Sequence, residues 1–274
     1  MQSSKQPYHV LLSFDLEEFD IPNEFGANLP VAEQLQVTAA GMSKLLPVLN
    51  HLQIAATFYT TAFYAQQNEA QVKKMAVSNE IASHSFYHSR FAESDIKNSR
   101  LVLEAVSGQR VTGFRMPRLA PVDKKLIYEA GYLYDASLNP TWLPGRYNNF
   151  RHPRTVFRQD NLWILPSSVT PSLRIPMFWL AFKNLPLWFI KQCSLQILQK
   201  DNYLSLYFHP WEYADLSACK QMPFYIRRPS GNRLLDKLTD YLSWLQTVAA
   251  FVTTHSFIET RELNELQRWT FGNS

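Results

Sequence analysis

Short apolar runs that end in ionisable residues recur along the chain, with helical patterns between them. Residues 10–14 lead into Asp15-Leu16-Glu17-Glu18, residues 80–83 into His84, and residues 111–114 into Arg115-Met116-Pro117-Arg118. Residues 132–134 lead into Asp135-Ala136-Ser137, and residues 203–208 into His209-Pro210-Trp211-Glu212. A further apolar run covers 54–60. Amphipathic patterns over 32–52, 62–77, 94–106, 122–130 and 232–249 predict helices, although Gly41 and Pro47 interrupt the first of them. A β-α-β-α alternation of this kind predicts a parallel sheet with its strands buried on both faces. Active sites in such folds form at the C-terminal edge of the sheet, where these ionisable residues fall.

The remainder reads less regularly. Residues 139–171 are expected to be mostly loop around a strand at 162–165. An aromatic, Pro-broken segment follows at 175–198, and the chain closes with a strand at 251–253 and a helix at 259–268. Nothing marks a second domain, so residues 1–274 are expected to form one.

His84 and His88 are the sharpest chemical signal. Two histidines four apart share one face of a helical turn, so both rings can converge on one divalent ion. On an extended backbone Asp15 and Glu17 point to one side, whereas Glu18 faces away unless the strand has turned.

Composition excludes several classes. The net charge of +4 is small and dispersed, and no basic stripe is present, so no nucleic-acid partner is expected. Arg146, Arg151, Arg154 and Arg158 do cluster in one polar stretch, either as a solvated loop or as a seat for an anionic substrate. Lys183, Asn184, Pro186 and Lys191 break the apolar segment, which excludes a transmembrane helix there. Peripheral membrane contact through 175–198 is conceivable but not expected. The opening residues lack a leader's apolar core, giving a cytoplasmic expectation. Cys193 and Cys219 form no motif.

Taken in order, Ser13-Phe14-Asp15-x-Glu17, His84-Ser85-x-x-His88, Phe114-Arg115-x-Pro117, Tyr134-Asp135-x-Ser137 and Leu206-x-x-His209-Pro210 resemble the polysaccharide deacetylases of the NodB-homology group, over about 10–255. Asp-x-Glu-Glu and His-Pro-Trp-Glu look like the branch found in bacterial exopolysaccharide loci. The resemblance implies an α/β fold, a distorted (β/α) barrel of about seven parallel strands. It also implies metal-dependent removal of an N-acyl group, most simply acetyl, from an amino sugar in a polysaccharide or a lipid- or nucleotide-linked glycan.

Residue by residue, the resemblance makes Asp15 the base and His84 and His88 ligands to a divalent metal ion such as Zn²⁺. His209 becomes the acid and Arg115 the residue that orients Asp15. The family's commonest third ligand is an Asp directly after the base, where this chain has Leu16. Glu17 replaces it in this reading, with Glu18 as the alternative. Arg118 stands where a backbone N–H serves the oxyanion, Asp135 tunes His209 or caps a loop, and Trp211 contacts sugar or packs.

Two alternatives stay open. One is hydrolysis of another C–N bond, in a small amide, a ureide or a formyl-amino sugar; the other is an inactive carbohydrate-binding relative. Ser85 after the first histidine excludes an HExxH peptidase. A retaining glycosidase could use Asp15 and Glu17 but would leave the histidine pair without a task.

Overall fold

The computed structural model describes residues 8–271. Its strands are β1 (His9–Leu16), β2 (Thr57–Thr60), β3 (Glu80–Ser83), β4 (Gly113–Phe114), β5 (Tyr134–Asp135), β6 (Trp142–Leu143), β7 (Tyr147–Asn148), β8 (Phe157–Gln159), β9 (Leu162–Ile164), β10 (Tyr203–Phe208) and β11 (Ala250–Phe251). The main sheet runs β10-β1-β2-β3-β4-β5-β9-β8, with β11 also on β1. Along that path the seven strands from β10 to β9 are parallel, and β8 adds an antiparallel edge. The gap between β9 and β10 is bridged irregularly: Ser168 N–H donates to Ser205 O at 3.0 Å, and Phe178 pairs with Tyr207. The expected distorted barrel is therefore the one observed.

The helices are α1 (Val31–His51), α2 (Ala62–Gln67), α3 (Glu69–Met75), α4 (Ser94–Ser107), α5 (Lys124–Glu129), α6 (Trp179–Asn184), α7 (Leu187–Asp201), α8 (Phe224–Arg227), α9 (Asn232–Gln246) and α10 (Thr254–Phe271). The predicted helix over 62–77 is two, because the chain leaves helical geometry at Asn68 (φ −135°). Leu185-Pro186 likewise divides the aromatic segment into α6 and α7. Inside the predicted loop lies the β6–β7 hairpin, whose two-residue strands are too short to leave an alternating pattern.

β1 explains the apolar residue after Asp15. Side chains alternate along a strand, so Val10, Leu12, Phe14 and Leu16 join the core between sheet and helices. Leu11, Ser13 and Asp15 point the other way; Leu11 packs in the inner cluster, and Ser13 and Asp15 bond to Arg115. A carboxylate at position 16 would sit in apolar surroundings without a partner, at a cost of several kcal/mol.

Helix α1 fixes the site from outside. It runs unbroken through Gly41 and Pro47 and buries Thr38, Gly41, Met42, Leu45 and Leu49. A Cβ at Gly41 would overlap the Pro210 carbonyl, so the glycine is what lets the helix lie against the turn after His209. One turn earlier, the Thr38 hydroxyl donates to Glu17 O at 2.7 Å.

Candidate active site

Asp15, Glu17, His84, His88 and His209 meet in one cavity of about 330 Å³. Each comes from the C-terminal end of a strand or the loop just beyond it, in β1, β3 and β10. Aromatic and aliphatic walls close around them, contributed by Phe25, Leu143, Tyr147, Phe178, Trp179 and Tyr225.

His84 and His88 converge, but not on a helical turn as the spacing suggested. Residues 84–88 form an irregular loop with Ser85 in the left-handed region (φ +62°). The loop is pinned by His84 N–H to Thr60 O at 2.9 Å and by the amides of Ala62 and Phe63, which donate to Ser85 O and Phe86 O. The rings lie nearly parallel, with centroids 5.7 Å apart. Both Nε2 atoms face Glu17 Oε2, at 3.0 Å from His84 and 3.1 Å from His88.

Each ring is held from behind. His84 Nδ1 contacts Arg115 O at 2.8 Å, and His88 Nδ1 contacts Asp20 Oδ1 at 2.7 Å. Such partners set the tautomer and orientation of a ligating histidine. Asp20 escaped the sequence reading because it lies beyond β1, where no strand or helix period marks it. Its other oxygen accepts from Arg118 at 2.8 Å, and Arg118 also pairs with Glu24 at the cavity rim.

Glu18 turns away from the ion-facing side, as the period of two predicts. It accepts from the Thr61 hydroxyl at 2.6 Å, and burial pushes its carboxyl above the usual range. The carboxylate that meets both histidines is therefore Glu17, further held by the Trp211 indole N–H at 3.1 Å.

Arg115 is buried behind Asp15, donating to it at 2.5 Å, to Ser13 Oγ at 3.1 Å and to Ala136 O at 3.2 Å. Its guanidinium lies 3.8 Å from the Tyr59 ring centroid. Burial opposes its charge, but the Asp15 carboxylate more than offsets this and raises its pKa.

His209 faces both carboxylates, with Nε2 3.9 Å from Asp15 Oδ2 and 4.0 Å from Glu17 Oε1. Its ring stacks on Trp211 at 4.7 Å and meets Trp179 edge-on at 5.1 Å. Asp135 and Trp211 each had two readings, and the structure favours the loop-capping one for Asp135 and packing for Trp211. Asp135 does not reach His209; it lies buried under the sheet edge, bound to Lys124 at 2.6 Å and to Ser137. The carboxylate beside His209 is Glu212, 3.4 Å from Nδ1 and accepting the His209 N–H at 3.0 Å. Glu212 is in turn paired with the buried Lys183 at 3.3 Å. Adjacency in the turn placed Glu212 there, and a motif reading that sought the partner at Asp135 missed it. Trp211 lines the cavity, yet it is only 1 % exposed, so packing and the bond to Glu17 account for most of its surface.

Of the four clustered arginines, Arg146 alone lines the cavity, reaching Glu24 at 3.3 Å; Arg154 instead pairs with Asp201 on the outside.

The donor set fits a divalent ion. One atom each from Glu17, His84 and His88 lie within 4.8 Å of one another, and Asp15, Glu17 and His209 form an overlapping group. Tetrahedral ligands about 2.0–2.1 Å from Zn²⁺ stand about 3.3 Å apart, close to the Glu17–histidine separations. A carboxylate facing three imidazoles also needs a cation or protons between them.

With no ion between them, these groups shift one another's titration. Burial favours a neutral Glu17, but His88, His84 and His209 reverse this and hold its carboxyl well below the usual range. Burial likewise opposes charge on His88, yet Glu17 and Asp20 push its pKa up to about 9. His209 is raised too, burial being overcome by Glu212, Glu17 and Asp15.

A group whose folded pKa is raised stabilises fully below its unfolded value and loses that contribution as pH rises through the folded one. His88 therefore gives the metal-free protein stability that is complete below about pH 6.5 and lost toward pH 9. Glu17 works in the opposite sense, its contribution fading as pH falls below 4.5. The melting temperature of chelator-treated protein is expected to fall by several degrees between pH 6.5 and 9. A flat profile would contradict the histidine–carboxylate pairing.

Residues 9–133 match the family model described as polysaccharide deacetylase, which bears out the resemblance read from the motifs. No curated protein matches the chain by sequence. Among solved structures, a candidate polysaccharide deacetylase from Mycobacterium smegmatis superposes with a TM-score of 0.63 at 18% identity, over 97% of this chain and 94% of the other. One from Pseudomonas aeruginosa PAO1 gives 0.63 at 14% identity, over 93% of each chain. A structure named Puue allantoinase gives 0.59 at 15% identity, also over 93% of each. At these identities the likeness establishes the barrel fold.

Proposed function

We propose that the polysaccharide deacetylase match over residues 9–133 extends to the chemistry of this cavity, which removes an N-acyl group, acetyl in the simplest case, from an amino sugar. The observation that carries the reading is the convergence of Glu17, His84 and His88 through single donor atoms, with Asp15 and His209 about 4 Å away on the same cavity floor. Glu17, His84 and His88 would hold the metal ion, Zn²⁺ being the first choice for two imidazoles and a carboxylate. A bound divalent ion supplies Lewis acidity toward the amide carbonyl and makes water a stronger nucleophile near neutral pH.

The chain's own residues do the proton work. Asp15 accepts a proton from the water as its oxygen bonds to the carbonyl carbon. Arg115, fixed by Ser13, Ala136 and Tyr59, keeps that carboxylate aimed. His209 donates a proton to the nitrogen as the C–N bond breaks, because an amine anion is a poor leaving group. Glu212 and the Trp179–Trp211 pair hold its ring for that donation. The products are a carboxylic acid and a free amino sugar.

Aromatic walls and a cavity near the lower end of the usual ligand-pocket range suit one sugar ring with its acyl group. The same size admits a small amide or ureide as a second reading. Incubating Zn²⁺-loaded protein with an N-acetylglucosamine oligosaccharide is expected to release acetate without new reducing ends. Release from small amides alone would support the second reading, and new reducing ends would refute both.

A further inference from the structure

Helix α8 and the residue after it form a wall shared by two cavities: Tyr225 and Ile226 line the catalytic one, while Phe224 and Arg228, just past the helix, line a second of about 790 Å³. Four cationic side chains face the second cavity, Lys183, Arg228, Arg233 and Lys237, against one carboxylate, Asp215. Two of the four are already engaged. Lys183 holds Glu212 and Ile226 O, and the Lys237 ammonium donates to Phe182 O at 2.6 Å and Leu185 O at 2.7 Å. Arg228 and Arg233 are exposed at the mouth; Arg228 acts electrostatically on Asp215, but neither guanidinium lies within hydrogen-bond or ion-pair distance of a partner among the described residues. Phe224, 69 % exposed, offers an aromatic face beside them.

We propose that this second cavity is a binding subsite for an acidic sugar unit, one bearing a carboxylate or a phosphate. Guanidinium forks match the paired oxygens of both groups, and an exposed aromatic ring packs against the apolar face of a pyranose. A helix with its side chains is about 10–12 Å across, so a ligand filling both cavities is a short oligosaccharide rather than one sugar. That one glycan chain fills both rests on the proposed deacetylase activity; the anion subsite does not.

The test is calorimetric binding to the full-length, Zn²⁺-loaded protein. The ligands are a neutral N-acetylglucosamine tetrasaccharide, a tetrasaccharide alternating N-acetylglucosamine with glucuronate, and a phosphate-bearing tetrasaccharide. At least one acidic ligand is expected to bind roughly tenfold tighter than the neutral one, and which of them does so identifies carboxylate or phosphate as the group recognised. The R228E/R233E variant should abolish that preference and leave the neutral ligand's Kd unchanged. Equal affinity for all three in the wild type, or a preference that survives in the double variant, overturns the proposal. Because Kd is read separately from acetate release, failure of the deacetylase reading is distinguishable from failure of the subsite.

Discussion

Exchanging Asp15 for asparagine is expected to lower kcat by about 10²–10⁴-fold, the usual worth of a general base, while leaving the metal in place. Asparagine keeps an oxygen able to accept from Arg115, which now bonds Asp15 Oδ1 at 2.5 Å, so the hydrogen bond survives although the buried guanidinium loses its counter-charge and the variant is less stable. It cannot take a proton from water. The three proposed ligands are untouched, because Asp15 Oδ2 lies 4.0 Å from His84 Nε2 whereas Glu17 is at 3.0 Å. Steady-state kinetics with metal analysis of the same sample check this. A fall of less than tenfold would remove Asp15 from the role of base, and loss of the metal would make it a ligand instead.

Replacing Arg115 by methionine should produce the largest loss of stability. The guanidinium is 2 % exposed and its partner carboxylate 5 %, so removing it leaves Asp15 buried without its counter-charge. Breaking a buried pair from one side costs about 3–5 kcal/mol, a large share of the 5–15 kcal/mol that holds a domain folded. Surface ion pairs such as Lys125–Glu129, where both side chains are more than half exposed, set the contrast, because pairs of that kind contribute little. In the double variant D15N/R115M no charge is stranded, so much of the stability should return although activity does not. Urea denaturation of the three proteins measures both steps. If Arg115→Met alone costs less than about 1 kcal/mol, the pair is not the electrostatic anchor described.

The parts of the site that were legible in the sequence are those governed by a period. Alternation along β1 placed Asp15 and Glu17 together and turned Glu18 aside, and the apolar surroundings of Leu16 explain why the carboxylate skips one position. Strand ends were legible as well, because short apolar runs followed by ionisable residues locate the C-terminal edge of a parallel sheet. What was not legible depends on loops. His84 and His88 converge through a left-handed residue at Ser85 rather than through helical geometry. Asp20 and Glu212 support the two outer histidines from turns that carry no period. Asp135 does stand at a strand end, but its side chain is taken by Lys124 and Ser137. Gly41 reads as a weak point of a helix when taken locally. Its meaning, room for the Pro210 carbonyl, exists only once α1 and the turn after β10 are packed together.

Glu17, His84 and His88 are proposed to hold one divalent ion. Elemental analysis of purified protein reloaded with Zn²⁺, beside the His84→Ala variant, tests it most directly. The expected result is about one equivalent of Zn²⁺ per chain in the wild type, lost in a variant that remains folded. Less than a tenth of an equivalent in the reloaded wild type, or undiminished binding in the variant, would contradict the assignment and the mechanism built on it.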